Sequence, residues 1–146
     1  MSAEVLEALE IFKPRALCAW MLSDEVYRQR LQWQITAFPS YALPSSKRPT
    51  LLTGLVHEFG VGTIWMLTGV GFERDIRVNL PMVRVLLKHL YKELNLHRLQ
   101  IFLESGRKDG AVWARHTGFV RECGPLKSLG VHGEDADIWI YQPEVC

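Results

Sequence analysis

The residues best suited to bind an anion lie in the middle of the chain. Residues 74–98 include six basic and two acidic side chains, and residues 107–121 include four basic and one acidic. Both ends of the chain are acidic, so the net charge of the 146 residues is only +1. This pattern indicates a local anion site and argues against a surface that coats nucleic acid.

Three consecutive sequence patterns predict the elements that position those basic residues. The apolar run 63–68 predicts a strand buried on both faces, and 69–78 is expected to be a loop. An apolar stripe at helical spacing predicts a helix over 80–94, with Asn79 as its N-cap. The alternation over 97–104 predicts the next strand. Ligands bind where the strands of such a parallel crossover end, which indicates the loop 69–78.

The remaining patterns predict an α/β (α+β) fold with a mixed sheet and flanking helices. Two helices are expected at the front, one ending at Pro14 and one capped by Ser23, followed by a strand before Pro39. A hairpin is expected at 50–68, with its turn at 60–62. A short helix is expected at 109–117, and two last strands at 119–123 and 136–141.

Length and composition favour one globular domain. Hydrophobic residues make up 48% and charged residues 23% of the chain, which excludes intrinsic disorder. No apolar run approaches the roughly 20 residues of a membrane span, and no secretory signal is visible, so a cytoplasmic location is expected. The three cysteines, Cys18, Cys123 and Cys146, lack metal-ligand spacing. They are interpreted as free thiols of a reducing compartment, and no metal is expected.

The segment from Trp113 to Glu122 resembles the end of a GNAT (Gcn5-related N-acetyltransferase) domain. In that family a short helix ends in a Gly-Phe pair, here Gly118-Phe119, and leads into a strand. Residues 97–101 and 137–141 resemble the strands before and after it. The resemblance covers about Thr50 to Pro143, whereas 1–49 are less typical. It implies that 1–146 form one domain with a mainly antiparallel twisted sheet.

Small bacteriophage acetyltransferase-like proteins have a similar Trp-x-x-x-x-Gly-Phe ending. That resemblance implies a viral origin and a location in the host cytoplasm as a further hypothesis.

The family resemblance implies that the chain binds acetyl-CoA or another acyl-CoA. In the family a splayed central strand exposes backbone groups to pantetheine, and the next helix N-terminus binds pyrophosphate, as helix N-termini bind anions generally. Carried over by position, the strand is 63–70 and the phosphate loop is 72–79. The implied cofactor-binding residues are Leu67, Thr68, Gly69, Val70, Phe72, Arg74, Arg77, Asn79, Arg107 and Trp113. A core position is the alternative for Trp113.

The sequence departs from the family at two functional positions. Residues 72–81 contain no glycine, so Arg74 and Arg77 would supply cations in place of backbone N–H groups; solvated loop charges are the alternative. The family's general-acid tyrosine, four residues before the Gly-Phe pair, corresponds to Ala114, and its asparagine to Arg107. The chain would then bind CoA without transfer, or use another acid.

Acyl transfer to an amine requires a base to remove a proton. His57 and Glu58 lie late in the strand before the central one, and alternation places them on opposite faces. His116 is the candidate for the missing acid. The alternatives are structural: Glu58 at a hairpin end in water, and His116 interacting with the helix dipole.

The sequence supports three hypotheses of function. The first is an acyl-CoA-dependent N-acetyltransferase that acts on an amine of a protein or a small metabolite. The second is a catalytically weakened GNAT-like fold that acts by binding host or cellular proteins. The third is a nucleic-acid binder, although no recognised motif accompanies its basic middle. No membrane partner is expected, and the exposed edges of a mixed sheet favour a homodimer.

Overall fold

The computed structural model describes residues 2–142 and contains a six-stranded sheet with the order β1-β2-β3-β4-β6-β5. The helices are α1 (Ser2–Ile11), α2 (Ala19–Ser23), α3 (Glu25–Ala37), α4 (Phe72–Glu93) and α5 (Lys108–Thr117), with a 3₁₀ turn at Ala16–Cys18. The strands are β1 (Ser40–Leu43), β2 (Leu51–Glu58), β3 (Val61–Thr68), β4 (Arg98–Glu104), β5 (Phe119–Leu126) and β6 (Ala136–Tyr141). The predicted mixed, mainly antiparallel α/β architecture is confirmed. Cys146 and the end of the resemblance at Pro143 lie outside the described residues.

The chain divides into two compact units. The first comprises Met1–His57 and Trp65–Met82, and the second Glu58–Ile64 and Val83–Cys146. The single domain expected from the sequence therefore stays a prediction. Within 2–142, no helix has the length and apolarity that crossing a membrane requires.

In the first unit, α1 packs its apolar face on β2, β3 and α3. Val5, Ala8, Leu9 and Phe12 recur at helical spacing and are buried together with Ile35, Leu52 and Leu67. Strand β1 pairs with β2 in antiparallel register, from Ser40 opposite Gly54 to Leu43 opposite Leu51. This cluster is the hydrophobic core of the unit, and it fixes the side of β3 that contacts α1.

The expected strand before Pro39 is wrong, because residues 25–37 form the helix α3. Leu31 and Ile35 lie four residues apart and are both buried, so packing decides against the strand propensity of the local sequence. The predicted N-cap at Ser23 is also wrong by one residue. The side chain of Asp24 caps α3 and accepts a hydrogen bond of 2.9 Å from the Tyr27 N–H.

In the second unit, the first half of β3 pairs in parallel with β4, from Val61 opposite Arg98 to Ile64 opposite Ile101. Strand β6 pairs in antiparallel register with β4 and with β5. Helix α5 ends at Gly118, which has a left-handed φ of 103° and donates its N–H to the carbonyls of Ala114 and Arg115. The predicted parallel crossover and the helix stop at Gly118 are confirmed.

The largest correction concerns residues 72–79, which belong to α4 and not to a loop. Phe72, Asp75 and Asn79 are buried at helical spacing on one face, although two of the three are polar. Asn79 is consequently an interior residue of the helix and not its N-cap. Pro81 also lies inside α4, where its missing N–H leaves one helical hydrogen bond unformed. The turn before β3 lies at Phe59-Gly60, so the expected turn at 60–62 is shifted.

Replacement of Leu52 by alanine tests the core of the first unit. Leu52 is completely buried, and Leu→Ala at such a site costs about 2–5 kcal/mol because it removes contacts and leaves a cavity. Urea unfolding monitored by tryptophan fluorescence measures the loss. Leu17→Ala is the control, since that side chain is 41% exposed and its truncation should cost about 1 kcal/mol or less. Equal losses in the two variants would contradict this description of the core.

Candidate functional site

The chain reverses at the end of β3 through a turn that other segments hold in place. The Gly69 N–H donates to the Thr50 carbonyl at 2.8 Å, and the Val70 N–H donates to the Lys13 carbonyl at 2.8 Å. The Thr68 carbonyl accepts from the Arg15 N–H at 3.0 Å. Backbone groups that the resemblance assigns to pantetheine are thus bonded within the chain. A Cβ on Gly69 would lie 2.7 Å from the Phe12 ring, so only glycine fits there.

Helix α4 begins directly after this turn and presents its N-terminus. The first helical bond joins the Asp75 N–H to the Gly71 carbonyl at 3.1 Å. The N–H groups of Glu73 and Arg74 have no backbone acceptor in the part of the chain that the structure describes. The unsatisfied donors and aligned peptide dipoles of a 22-residue helix favour an anion at this end.

A buried polar cluster holds the first two turns of α4 against the start of β2. The Thr50 hydroxyl donates to an Asp75 carboxylate oxygen at 3.0 Å, and the Asn79 amide donates to the Thr50 hydroxyl at 3.1 Å. Arg74 donates two hydrogen bonds to Asp75, at 3.0 and 3.3 Å. The hydrogen bond from Arg74 is the main cause that lowers the pKa of Asp75, and bonding from Thr50 and the charge of Arg48 lower it further against the opposing effect of burial.

Cations from three segments lie at this end of the helix. The Arg15 guanidinium lies 5.9 Å from the centre of the Phe72 ring. Arg48 is close enough to lower the pKa of Asp75, and the Arg74 side chain stays 60% exposed beside that carboxylate. The Asp75 carboxylate balances the charge of Arg74, and the exposed Arg48 adds a further positive charge at this end of α4. Together with the N–H groups of the first helical turn, this arrangement is suited to a phosphate group.

The other cofactor candidates of this region differ in their burial. Leu67 is buried in the core of the first unit, and Val70 and Arg77 are exposed. The Thr68 hydroxyl lies 3.5 Å from the Cys18 sulfur. Asn79 is completely buried, its amide nitrogen bonded to Thr50 and its amide oxygen without a partner within residues 2–142. The side chains of Leu67 and Asn79 are thus buried, and the assignment of both residues to cofactor binding stays a prediction.

The catalytic candidates fall into different units. His57, in the first unit, packs its ring edge-to-face on Phe38, with 5.5 Å between the ring centres. Glu58 is exposed at the end of β2 and belongs to the second unit. His116 is exposed in the last turn of α5, and its carbonyl accepts a 2.7 Å hydrogen bond from the Arg84 side chain. The roles of these three residues as base or acid stay predictions.

Arg107 and Trp113 lie in the second unit, at the start and in the middle of α5. The Arg107 guanidinium pairs with Asp109 at 2.7 Å and lies 3.9 Å from Glu104. Its charge is thus largely balanced by carboxylates of its own unit. Among the described residues, no group of three or more His, Cys, Asp or Glu side chains is placed to hold a metal ion. Cys18 and Cys123 are free thiols that form no disulfide within the described residues.

Sequence reasoning found Arg74 but missed Arg15, Arg48, Thr50 and Asp75. The charge pattern identified only cations that lie close together along the chain. Asp75 lies in a segment interpreted as loop and Thr50 is the first residue of a predicted strand, and nothing in the local sequence indicates that these small polar side chains are buried together. The one available signal was the 3,4 spacing of Phe72, Asp75 and Asn79, which becomes visible only when polar residues are allowed on a buried helix face.

Solved structures resemble this arrangement of strands and helices closely. A GNAT-family acetyltransferase from Bacillus anthracis superposes with a TM-score of 0.70 over 99% of this chain and 92% of its own, at 15% identity. The chain has the GNAT acetyltransferase fold. A variant of the spermidine N-acetyltransferase SpeG from Vibrio cholerae gives a TM-score of 0.62 at 14% identity, over 83% of this chain and 75% of its own. The IAA acetyltransferase from Bacillus cereus gives 0.62 at 10% identity, over 83% and 88%.

Neither a protein-family model nor a curated protein matches the amino-acid sequence. The similarity of this chain to the solved structures is therefore a similarity of fold. In this GNAT-type fold the start of α4 follows the central strand, and the cationic helix N-terminus described above lies at that junction.

The hydrogen bonds of Asp75 predict a pH dependence of stability. Its pKa is lower in the folded chain than the ordinary value of 3.8, so the folded state binds fewer protons than the unfolded state below about pH 5. The stabilisation is therefore present above that pH and is lost as the pH falls through 3.8 and below. In Asp75→Asn, the unfolding free energy measured by urea titration should fall less steeply between pH 5 and 3.

Glu73→Gln is the matched control, because that exposed carboxylate lies in the same helical turn and makes no side-chain hydrogen bond within the described chain. We expect its stability to follow the parent protein across the same pH range. A slope in Asp75→Asn that equals the parent slope would show that the cluster does not hold Asp75 ionised.

Proposed function

We propose that the chain is an acyl-CoA-dependent N-acyltransferase that transfers an acetyl or other acyl group to an amine. The observation that carries the proposal is the N-terminus of α4, which follows the central strand of a GNAT fold and has the exposed side chains of Arg48 and Arg74 beside it. CoA is a polyphosphate, and a helix N-terminus with exposed guanidinium groups is suited to hold its phosphates. Backbone N–H groups and arginine side chains thus replace the glycine-rich loop expected from the family.

Different groups of the chain would have different roles in the proposed reaction. The N–H groups of Glu73 and Arg74, with the side chains of Arg15, Arg74 and Arg77, would orient the phosphates of the donor. The amine nitrogen would attack the acyl carbon of the donor thioester, so that a C–N bond forms, the C–S bond breaks and CoA leaves as a thiolate. His116 is the candidate acid for protonating that thiolate. His57 and Glu58 are the proposed bases for the proton of the attacking amine. Their assignment rests on position in the sequence and stays a proposal.

A second candidate function is binding of an acyl-CoA without transfer, in a protein that acts on other proteins. Two observations favour it. Ala114, which stands where the family's general acid is expected, is buried and has no polar side chain, and residues 72–79 are helical where the family has a loop. A host-protein partner, a homodimer and a cytoplasmic location belong to this proposal and are equally open to experiment.

Titration calorimetry with acetyl-CoA and CoA tests binding, and release of the free thiol in the presence of an amine panel tests transfer. Arg74→Ala combined with Arg77→Ala should weaken CoA binding about tenfold, since charge-assisted hydrogen bonds are each worth about 1.5–3 kcal/mol before solvent screening. Arg30→Ala is the matched control. That exposed arginine of α3 lies in the same unit, and its removal should change affinity less than about twofold.

The outcomes separate the two candidates. Binding with amine-dependent thiol release supports the transferase, whereas binding without release in any amine supports the second function. Absence of binding by both nucleotides would contradict both. An unchanged CoA affinity of the double arginine variant would show that the start of α4 is not the phosphate site.

A further inference from the structure

Both edges of β3 are engaged where the strand ends. Backbone N–H and C=O groups of successive residues in an extended chain point to opposite edges. The Gly69 N–H donates to the Thr50 carbonyl at 2.8 Å, on the side of β2. Thr68 and Val70 therefore present their backbone groups at the opposite edge, where a further strand or an extended ligand would bind.

A short segment of the first unit occupies that opposite edge. The Val70 N–H donates to the Lys13 carbonyl at 2.8 Å. The Arg15 N–H donates to the Thr68 carbonyl at 3.0 Å. Residues 13–15 thus form a strap that pairs with the end of β3 as a very short antiparallel strand would.

The strap is anchored by buried residues on either side of it. Phe12 precedes it and Cys18 follows it after one 3₁₀ turn, and both belong to the hydrophobic core of the first unit. Within the strap, Pro14 lies opposite Gly69 in an isolated antiparallel bridge and has no N–H to donate. The net contribution of each backbone hydrogen bond is modest, because it replaces a bond with water. A ligand that offers the same donor and acceptor can therefore displace the strap while Phe12 and Cys18 keep the core intact.

The pantetheine arm of the proposed donor would need the same backbone groups. Helix α4, whose N-terminus is the proposed phosphate site, begins at Phe72, two residues after Val70. An arm that extends from phosphates held there back along the strand would meet the Val70 N–H and the Thr68 carbonyl first. Pantetheine is a linear chain with two amide groups, and an extended chain binds a strand edge through such donors and acceptors. The arm and the strap would thus compete for one edge.

We propose that the strap is an autoinhibitory segment, which pairs with the end of β3 in the free protein and leaves it when the pantetheine arm of an acyl-CoA binds. The inference rests on the acyl-CoA binding proposed above and adds a means of regulating that site. Because only molecules with a displaced strap accept the arm, the apparent affinity for CoA is lowered by the fraction of such molecules. A ligand that carries phosphates of CoA but no pantetheine binds without this reduction.

Arg15→Pro tests the strap, because it removes the N–H that bonds to Thr68. The Arg15 backbone has a φ of −63° and a ψ of 155°, which proline adopts without strain. Arg15→Ala is the matched control, since it also removes the side chain but keeps the N–H. In titration calorimetry, Arg15→Pro should bind CoA about fivefold more tightly than Arg15→Ala, the factor that one net hydrogen bond gives. The two variants should bind adenosine 3′,5′-bisphosphate, which lacks pantetheine, with affinities within about twofold of each other.

Amide hydrogen exchange of the parent protein tests displacement without any substitution. We expect saturating CoA to speed exchange of the Arg15 N–H about tenfold or more, because the strap then no longer bonds to Thr68. The Val70 N–H should stay protected, since the arm replaces Lys13 as its acceptor. Adenosine 3′,5′-bisphosphate should leave exchange of the Arg15 N–H unchanged.

The outcomes distinguish failure of the strap from failure of the donor site. Equal CoA affinities of the two variants, or an Arg15 N–H that exchanges no faster with CoA bound, would overturn the strap and leave the proposed donor site intact. An equal gain in affinity of Arg15→Pro for adenosine 3′,5′-bisphosphate would also overturn it, since the substitution would then act on the phosphate site. Absence of CoA binding by the parent protein and by both variants would contradict the proposed function, and the strap with it.

Discussion

The burial of polar side chains beside the start of β2 is the constraint on which the candidate site depends. Thr50, Asp75 and Asn79 lie in the interior, where each unsatisfied hydrogen-bonding group costs about 1–3 kcal/mol. Except for the Asn79 amide oxygen, which has no partner within the described residues, their mutual bonds offset that cost. They do so only while residues 72–79 are helical, because helical geometry places Asp75 and Asn79 on one face. The helical start of α4 therefore follows from this cluster, and the position of its N-terminus after Gly71 follows from the helix.

A helix in place of a glycine loop would change how phosphate is held at the proposed site. Once residues 72–79 are helical, their N–H groups are occupied within the helix except in the first turn, where Glu73 and Arg74 retain theirs. Arginine side chains must supply the remaining contacts, and ordering such long side chains costs conformational entropy. The proposed site would therefore favour an anion of high charge, whose attraction outweighs this cost.

The elements that sequence patterns predicted correctly are those with strong local signals. Gly118 ends α5 because its left-handed φ is a property of one residue, and the apolar run of β3 needs no distant partner to be recognised. The errors at 32–37 and 72–79 share one cause. Aromatic and β-branched residues around Ile35 favour a strand locally, and flanking Gly71 and Pro81 favour a loop, but burial against other segments decides both cases. For the same reason, the local sequence does not predict that Thr50 and Arg15 belong to the candidate site, which they reach from segments distant in the sequence.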